Sequence, residues 1–110
     1  MTKSTIERGT GNVFADLGLP DASERQTKTR LALALNRIIK EQGLKQVAAA
    51  SKLGVPQPKV SALVNYQLDG FSVEKLMEFI VALGRDVEII VRPTRGGDAG
   101  RVLVLEAACW

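Results

Sequence analysis

Three polar side chains with recognition chemistry stand close together in one short segment: Gln57, Lys59 and Ser61. A glutamine can form a bidentate hydrogen bond with adenine, and a lysine favours the acceptors of guanine. Gln57 and Lys59 lie in the first turn of a predicted helix, which is the end that usually points into a DNA major groove. Pro58 and Ala62 add small apolar surfaces suited to a thymine methyl group. The segment therefore predicts contacts with base edges.

Other polar residues nearby have the chemistry for phosphate contacts. Gln46 opens the preceding predicted helix, where a backbone N–H without a helical partner can meet a phosphate, and its side chain can brace Gln57. Asn65 ends the second predicted helix, where it suits a contact with the DNA backbone. Weaker candidates of the same kind are Lys45, Lys52 and Gln67. For all these polar residues the alternative is an ordinary solvated surface.

The run 46–65, QVAAASKLGVPQPKVSALVN, has the spacing of two short helices joined by a turn. Gly54 stands where the chain must turn, and Ala50 stands four residues earlier, where the helices come too close for a larger side chain. The residues spaced to pack the two helices together are Ala49, Leu53, Val55, Val60 and Leu63. This pattern predicts a helix-turn-helix, the unit that places its second helix in the major groove.

Length and charge agree with that prediction. The chain has 110 residues, 45% of them hydrophobic, which suits one small domain and its extensions. The net charge is +3, and the stretch from Lys45 to Leu68 contains three lysines and no acid. A positive face that coincides with the motif is what phosphate contact requires. An ordinary solvated face is the alternative, which three lysines do not exclude.

Composition argues against several other classes of protein. The chain has no histidine, which is the commonest general base and metal ligand, and its carboxylates are scattered. Its one cysteine, Cys109, has no partner for a disulfide or a metal site. We therefore expect no enzymatic activity, no cofactor and no metal. No apolar run approaches the roughly 20 residues of a membrane span, and no signal peptide is visible, so a cytoplasmic location without membrane contact is the default expectation.

The chain divides into three predicted regions. Residues 1–19 are a flexible start with a short apolar cluster, which we expect to dock on the main domain or on a partner. Residues 20–84 are the helical domain: a long helix from Pro20–Asp21 to about Gln42, the two helices of the motif at about 46–53 and 57–64, and a helix capped by Ser72 that ends at Gly84.

Residues 85–110 show a different pattern, in which apolar residues alternate with a period of two from Val87 to Val91. A Gly-rich turn from Thr94 to Gly100 and a second extended run, RVLVLE, follow. Together they predict a C-terminal β-hairpin. Because a lone two-stranded hairpin is marginal in water, we expect it to pack on the helices and to pair with another subunit.

At these motifs the chain resembles the XRE family of regulators, whose helix-turn-helix is that of phage Cro and lambda repressor. The segment GLKQVAAASKLGVPQPKVSALVN is similar to the family's second and third helices, because the LxQ start, the glycine and the QPKVSAL core occur together. The flanking segments VFADLGLPDA and GFSVEKLMEFIVALGRDVEIIV extend the resemblance to HigA-like antitoxins, over roughly Val13 to Val91.

The resemblance implies a mainly α fold, a lambda-repressor-like helix-turn-helix bundle of four to five helices with a C-terminal β-hairpin. It also implies a sequence-specific repressor that binds a palindromic operator in double-stranded DNA as a homodimer, with recognition helices about 34 Å apart. HigA-like proteins neutralise a toxin, usually an mRNA-cleaving nuclease, and autoregulate their operon. The alternative is a solitary phage-type repressor without a toxin partner.

The sequence departs from the family pattern at the starts of both motif helices. Relatives often have Ser or Thr where Lys45 stands and an acid where Ala48 stands, so a capping box is missing and the helix at Gln46 loses about 1 kcal/mol of local support. Relatives also tend to have Ser or Asp where Pro56 stands. Pro58 disfavours the helical conformation of the residue before it, which would start the recognition helix one residue late.

Overall fold

The computed structural model describes residues 20–94 and 99–106, with the side chains of the first helix described from residue 23. Four helices form in this part of the chain: α1 Pro20–Glu41, α2 Gln46–Leu53, α3 Gln57–Val64 and α4 Val73–Ala82. The predicted order and approximate bounds of these helices are confirmed. The predicted N-terminal apolar cluster, the middle of the turn before Gly100, and Cys109 lie outside the described residues.

Each helix ends with the same backbone motif, in which the residue after the last turn takes a left-handed conformation. At the end of α2, the N–H of Gly54 (φ 71) bonds the carbonyl of Ser51 at 3.3 Å, and the N–H of Val55 bonds the carbonyl of Ala50 at 3.1 Å. This is a Schellman motif, which satisfies carbonyls that the helix leaves unpaired. The left-handed residues after α1, α2 and α4 are glycines, and after α3 the residue is Tyr66: Gly43, Gly54, Gly84 and Tyr66.

The helix starts differ in how they are capped. The hydroxyl of Ser72 accepts a hydrogen bond from the N–H of Lys75 at 3.0 Å, so the predicted cap of α4 is confirmed. Lys45 and Pro56, which precede α2 and α3, provide no side-chain cap. Helix α3 begins at Gln57, so the predicted bounds 57–64 are confirmed and the delay from Pro58 does not occur. A proline is tolerated in a first turn because the N–H that it removes has no helical partner there.

One hydrophobic core joins the four helices. Its largest fully buried side chains are Val60, Leu63, Leu35 and Leu76, contributed by α3, α1 and α4. Ala49 and Ala50 are buried where α2 meets this core, as the sequence predicts for residues at a close helix contact. Leu53 and Val55 are partly buried against the same core. Helix α1 packs on α4 and α3, and α2 packs on α3. These contacts set the orientation of α3 relative to the other helices.

After α4 the chain continues in an extended form. No strand is formed in the described ranges 85–94 and 99–106, so the β-hairpin stays a prediction. The second range lies against the helices, because Val104 packs on the core and the carboxylate of Glu106 is 3.2 Å from the guanidinium of Arg37. Within the described residues, no helix is both long and apolar enough to cross a bilayer.

Candidate nucleic-acid interface

The outer face of α3 is defined by the residues that its inner face buries. Val60 is 1% exposed and Leu63 is 0% exposed, and both point into the core. With about 3.6 residues per turn, Pro58, Ser61 and Asn65 form a stripe on the opposite side. Pro58 and Asn65 are exposed and Ser61 is half-buried, so this stripe faces solvent. Gln57 is exposed at the N-terminal tip of α3.

Lys59 occupies the flank of α3 and not this stripe. Its Nζ lies 3.4 Å from the carbonyl oxygen of Gly70 and 4.9 Å from the centroid of the Phe71 ring. An ammonium above an aromatic face is held by a cation–π attraction. Lys59 therefore contacts the loop between α3 and α4, and its contact with guanine stays a prediction.

Two further predicted contacts, Ala62 in α3 and Asn65 directly after it, are also partly engaged within the domain. Ala62 is half-buried against the core, so little of its methyl surface is free for a thymine. The Asn65 side chain donates one amide hydrogen to the carbonyl of Ser61 at 2.9 Å. An asparagine amide has a second hydrogen and an acceptor oxygen, so Asn65 keeps the capacity to meet a phosphate.

The start of α2 is the best-formed candidate phosphate site in the described residues. The backbone N–H groups of Gln46, Val47 and Ala48 have no hydrogen-bond partner there, since Lys45 caps none of them and the first bond runs from Ala49 to Lys45. Free N–H groups and the positive end of the helix dipole attract anions. The structure shows no hydrogen bond between Gln46 and Gln57, so the predicted bracing is not formed in the free protein.

A shallow groove between α1 and the helix-turn-helix continues this positive region. Its polar lining comes from the end of α1, the start of α2 and the loop after α3: Asn36, Lys40, Lys45, Gln46 and Tyr66. The Asn36 side chain donates to the carbonyl of Leu63 at 3.3 Å and ties α1 to α3 at the floor of this groove.

Lys40 and Tyr66 line this groove but are not among the contacts that the sequence predicts. A lysine in the last turn of the first helix and an aromatic residue directly after Asn65 were the available signals.

Lys52 and Gln67 lie at other parts of the surface. The Lys52 ammonium is 3.5 Å from the side-chain oxygen of Gln42, whose own amide donates to the carbonyl of Leu83 at 2.8 Å. This places Lys52 beside the junction of α1 and α4. Gln67 is exposed in the loop after α3, with its backbone N–H bonded to the carbonyl of Ala62. Their roles as weaker DNA contacts stay predictions.

The left-handed backbone of Tyr66 predicts strain at the end of α3, which a substitution can test. Tyr66→Gly is expected to raise the free energy of unfolding by about 0.5–1 kcal/mol, because a Cβ in this conformation costs about 1–2 kcal/mol and the added chain entropy of glycine offsets part of the gain. Urea unfolding followed by circular dichroism measures the change. The matched control is Gly54→Ala, which creates the same strain after α2 and should destabilise the domain. A less stable Tyr66→Gly protein would show that the packing of the ring outweighs the strain.

An exposed α3 tip, a glycine joint and an uncapped α2 start define this unit as a helix-turn-helix domain. A family model described as a helix-turn-helix domain matches residues 13–92. A solved structure, named as a candidate XRE family transcriptional regulator, is 57% identical, covers 80% of this chain and 100% of that chain, and superposes with a TM-score of 0.76. No curated protein matches the chain. The chain therefore belongs to the XRE family of helix-turn-helix regulators.

Proposed function

We propose that this protein is a sequence-specific DNA-binding transcriptional regulator that represses by binding a palindromic operator as a homodimer. The observation that carries the proposal is that one helix-turn-helix unit has an exposed α3 tip and, among the described residues, N–H groups without a partner at the start of α2. Phosphate contacts position a protein on DNA and base contacts give it specificity, and this surface offers both. The family assignment supports the same function.

The charge of the surface supports approach to DNA. Lys40 and Lys45 line the groove beside α2, and the sequence holds no acid between Lys45 and Leu68. Neutralising phosphates releases counterions, so the affinity should fall steeply with salt, with a logarithmic slope of about −0.9 for each phosphate contacted. The proposal includes a cytoplasmic location, and no enzymatic activity, cofactor or metal.

A shift assay tests the proposal. The DNA upstream of the gene and a shuffled duplex of equal length are compared at the same salt concentration. Tighter binding to the upstream DNA supports the proposal, and equal affinity for both duplexes contradicts it. A footprint then shows whether the protected site has two-fold symmetry, as a homodimer requires.

We also propose that the regulator is the antitoxin of a toxin–antitoxin pair that autoregulates its operon, with the solitary repressor as the alternative. Support comes from the resemblance of the segments around the motif to HigA-like antitoxins. The sequence offers two candidate surfaces for the toxin: the apolar cluster of Phe14, Leu17 and Leu19, which lies outside the described residues, and the polar first half of α1, residues 22–30. Expression of the adjacent small reading frame, with and without this gene, is the test. Growth arrest that this protein relieves supports the antitoxin, and the absence of any toxic neighbour supports the solitary repressor.

A further inference from the structure

The segment 86–92 leaves the helical domain in an extended form, with most of its apolar side chains exposed. Ile89, Ile90 and Val91 are 76%, 74% and 92% exposed. No backbone hydrogen bond joins the residues of this segment to any other described residue. An extended chain with a free row of N–H and C=O groups is a template for pairing with another strand. The apolar side chains make that pairing favourable, because it removes them from water.

The charges at the two ends of the segment indicate what it pairs with. Asp86 and Glu88 lie before its apolar centre, and Arg92 lies after it. If two copies pair antiparallel about Ile89, each Asp86 faces the Arg92 of the other copy. If they pair about Ile90, each Glu88 faces Arg92. A parallel pair would set like charges side by side, which destabilises a sheet.

The same face continues onto α4. Val87 and Ile89 line a shallow groove together with Met77 and Val81, and Val81 is exposed. Side chains alternate between the two faces of a strand, so residues 87, 89 and 91 share the face that borders this groove. A two-fold pair of such segments would bring a second apolar face of the same composition beside the first. A two-fold interface is self-complementary in this way.

We propose that residues 86–92 pair antiparallel with the same residues of a second copy, so that a sheet between subunits holds the homodimer together. This proposal rests on the homodimer of the proposed function and adds its interface. It is tested without DNA. An antiparallel pair about a two-fold axis sets the central residue opposite itself. That geometry, at Ile89 or Ile90, is the feature that the experiments examine.

Cysteine cross-linking in the full chain tests the geometry. In a Cys109→Ser background, Ile89→Cys, Ile90→Cys and Val47→Cys are oxidised separately, and disulfide-linked dimers are measured on non-reducing gels. Facing residues have Cβ atoms about 4.5–5.5 Å apart, close to what a disulfide needs. We expect a linked dimer at position 89 or 90 and none at Val47, which is 66% exposed on α2. Absence of linkage at both 89 and 90 would overturn the proposal.

Sedimentation equilibrium tests the energetics. Ile90→Asp sets new like charges about the two-fold axis and removes apolar area from both subunits, so the dimer dissociation constant should rise at least about tenfold. The matched control, Val47→Asp, should leave it unchanged. Thermal unfolding of both variants checks that each is folded. A parent chain that sediments as a monomer, or an unchanged constant for Ile90→Asp, would contradict the proposal.

Charge exchange provides a rescue that a misfolded variant cannot mimic. Arg92→Glu alone should weaken the homodimer, and so should the double change of Asp86→Arg and Glu88→Arg. When the two proteins are mixed, native mass spectrometry should show mainly the mixed dimer, because opposite charges then face each other. Mixing without preference would count against the antiparallel arrangement. Specific operator binding by a homodimer that does not cross-link at position 89 or 90 would leave the proposed function standing while this interface failed, and a cross-linked dimer without DNA preference would do the reverse.

Discussion

Leu63→Ala is expected to lower the free energy of unfolding by about 2–5 kcal/mol. Leu63 is fully buried on the inner face of α3, among the side chains of the common core. Truncation removes three buried carbon atoms and leaves a cavity that the surrounding helices fill only partly. Because domains of this size are stable by only about 5–15 kcal/mol, the loss is a large fraction of the total. Urea unfolding followed by circular dichroism measures it.

The control for this substitution is Leu33→Ala, which makes the same chemical change at a position of α1 that is 50% exposed. Its effect should stay near about 0.5 kcal/mol, as for other surface positions. A similar loss at both positions would show that leucine burial in the core does not set the stability. The comparison also checks the interpretation of DNA assays, because a change in α3 that unfolds the domain would abolish binding for a reason unrelated to contacts.

Local patterns were sufficient to predict most of the helical domain. Gly54, the small residues before it and the apolar residues of the motif predict a turn and a helix contact from spacing, and both are present. Ser72 predicts the start of α4 by a bond to a residue three positions on. Each of these features depends on residues that lie within a few helical turns of one another along the chain. A short stretch of sequence is therefore enough to predict it.

The candidate site was harder to predict because its side chains depend on distant partners. Lys59 looks like a base contact from its place in α3, but its ammonium meets Gly70 and Phe71 of the following loop. Lys40 and Tyr66 come together only because α1 packs on α3. The C-terminal pattern predicts strands, yet a strand requires a partner, and within the described residues the single chain does not provide one.

The second large effect is expected at the tip of α3. Gln57→Ala should reduce the affinity for the upstream DNA by about tenfold or more, since a good bidentate base contact contributes about 1–3 kcal/mol of discrimination. The affinity for shuffled DNA should hardly change, because phosphate contacts supply nonspecific binding and this substitution removes no charge. Fluorescence anisotropy with both duplexes at one salt concentration measures the two affinities. The informative quantity is the ratio of the affinity for upstream DNA to the affinity for shuffled DNA. Gln57→Ala should lower this ratio.

Lys59→Ala is the matched comparison, because it truncates a neighbouring side chain on the flank of the same helix. Removing a cation should weaken binding to both duplexes by a similar factor and make the salt slope shallower. It should also cost about 0.5–1 kcal/mol of stability through the lost contact with Phe71. Equal losses on both duplexes for Gln57→Ala would make that glutamine a backbone contact. Specificity would then have to come from the stripe of Pro58, Ser61 and Asn65, or from the shape of the DNA.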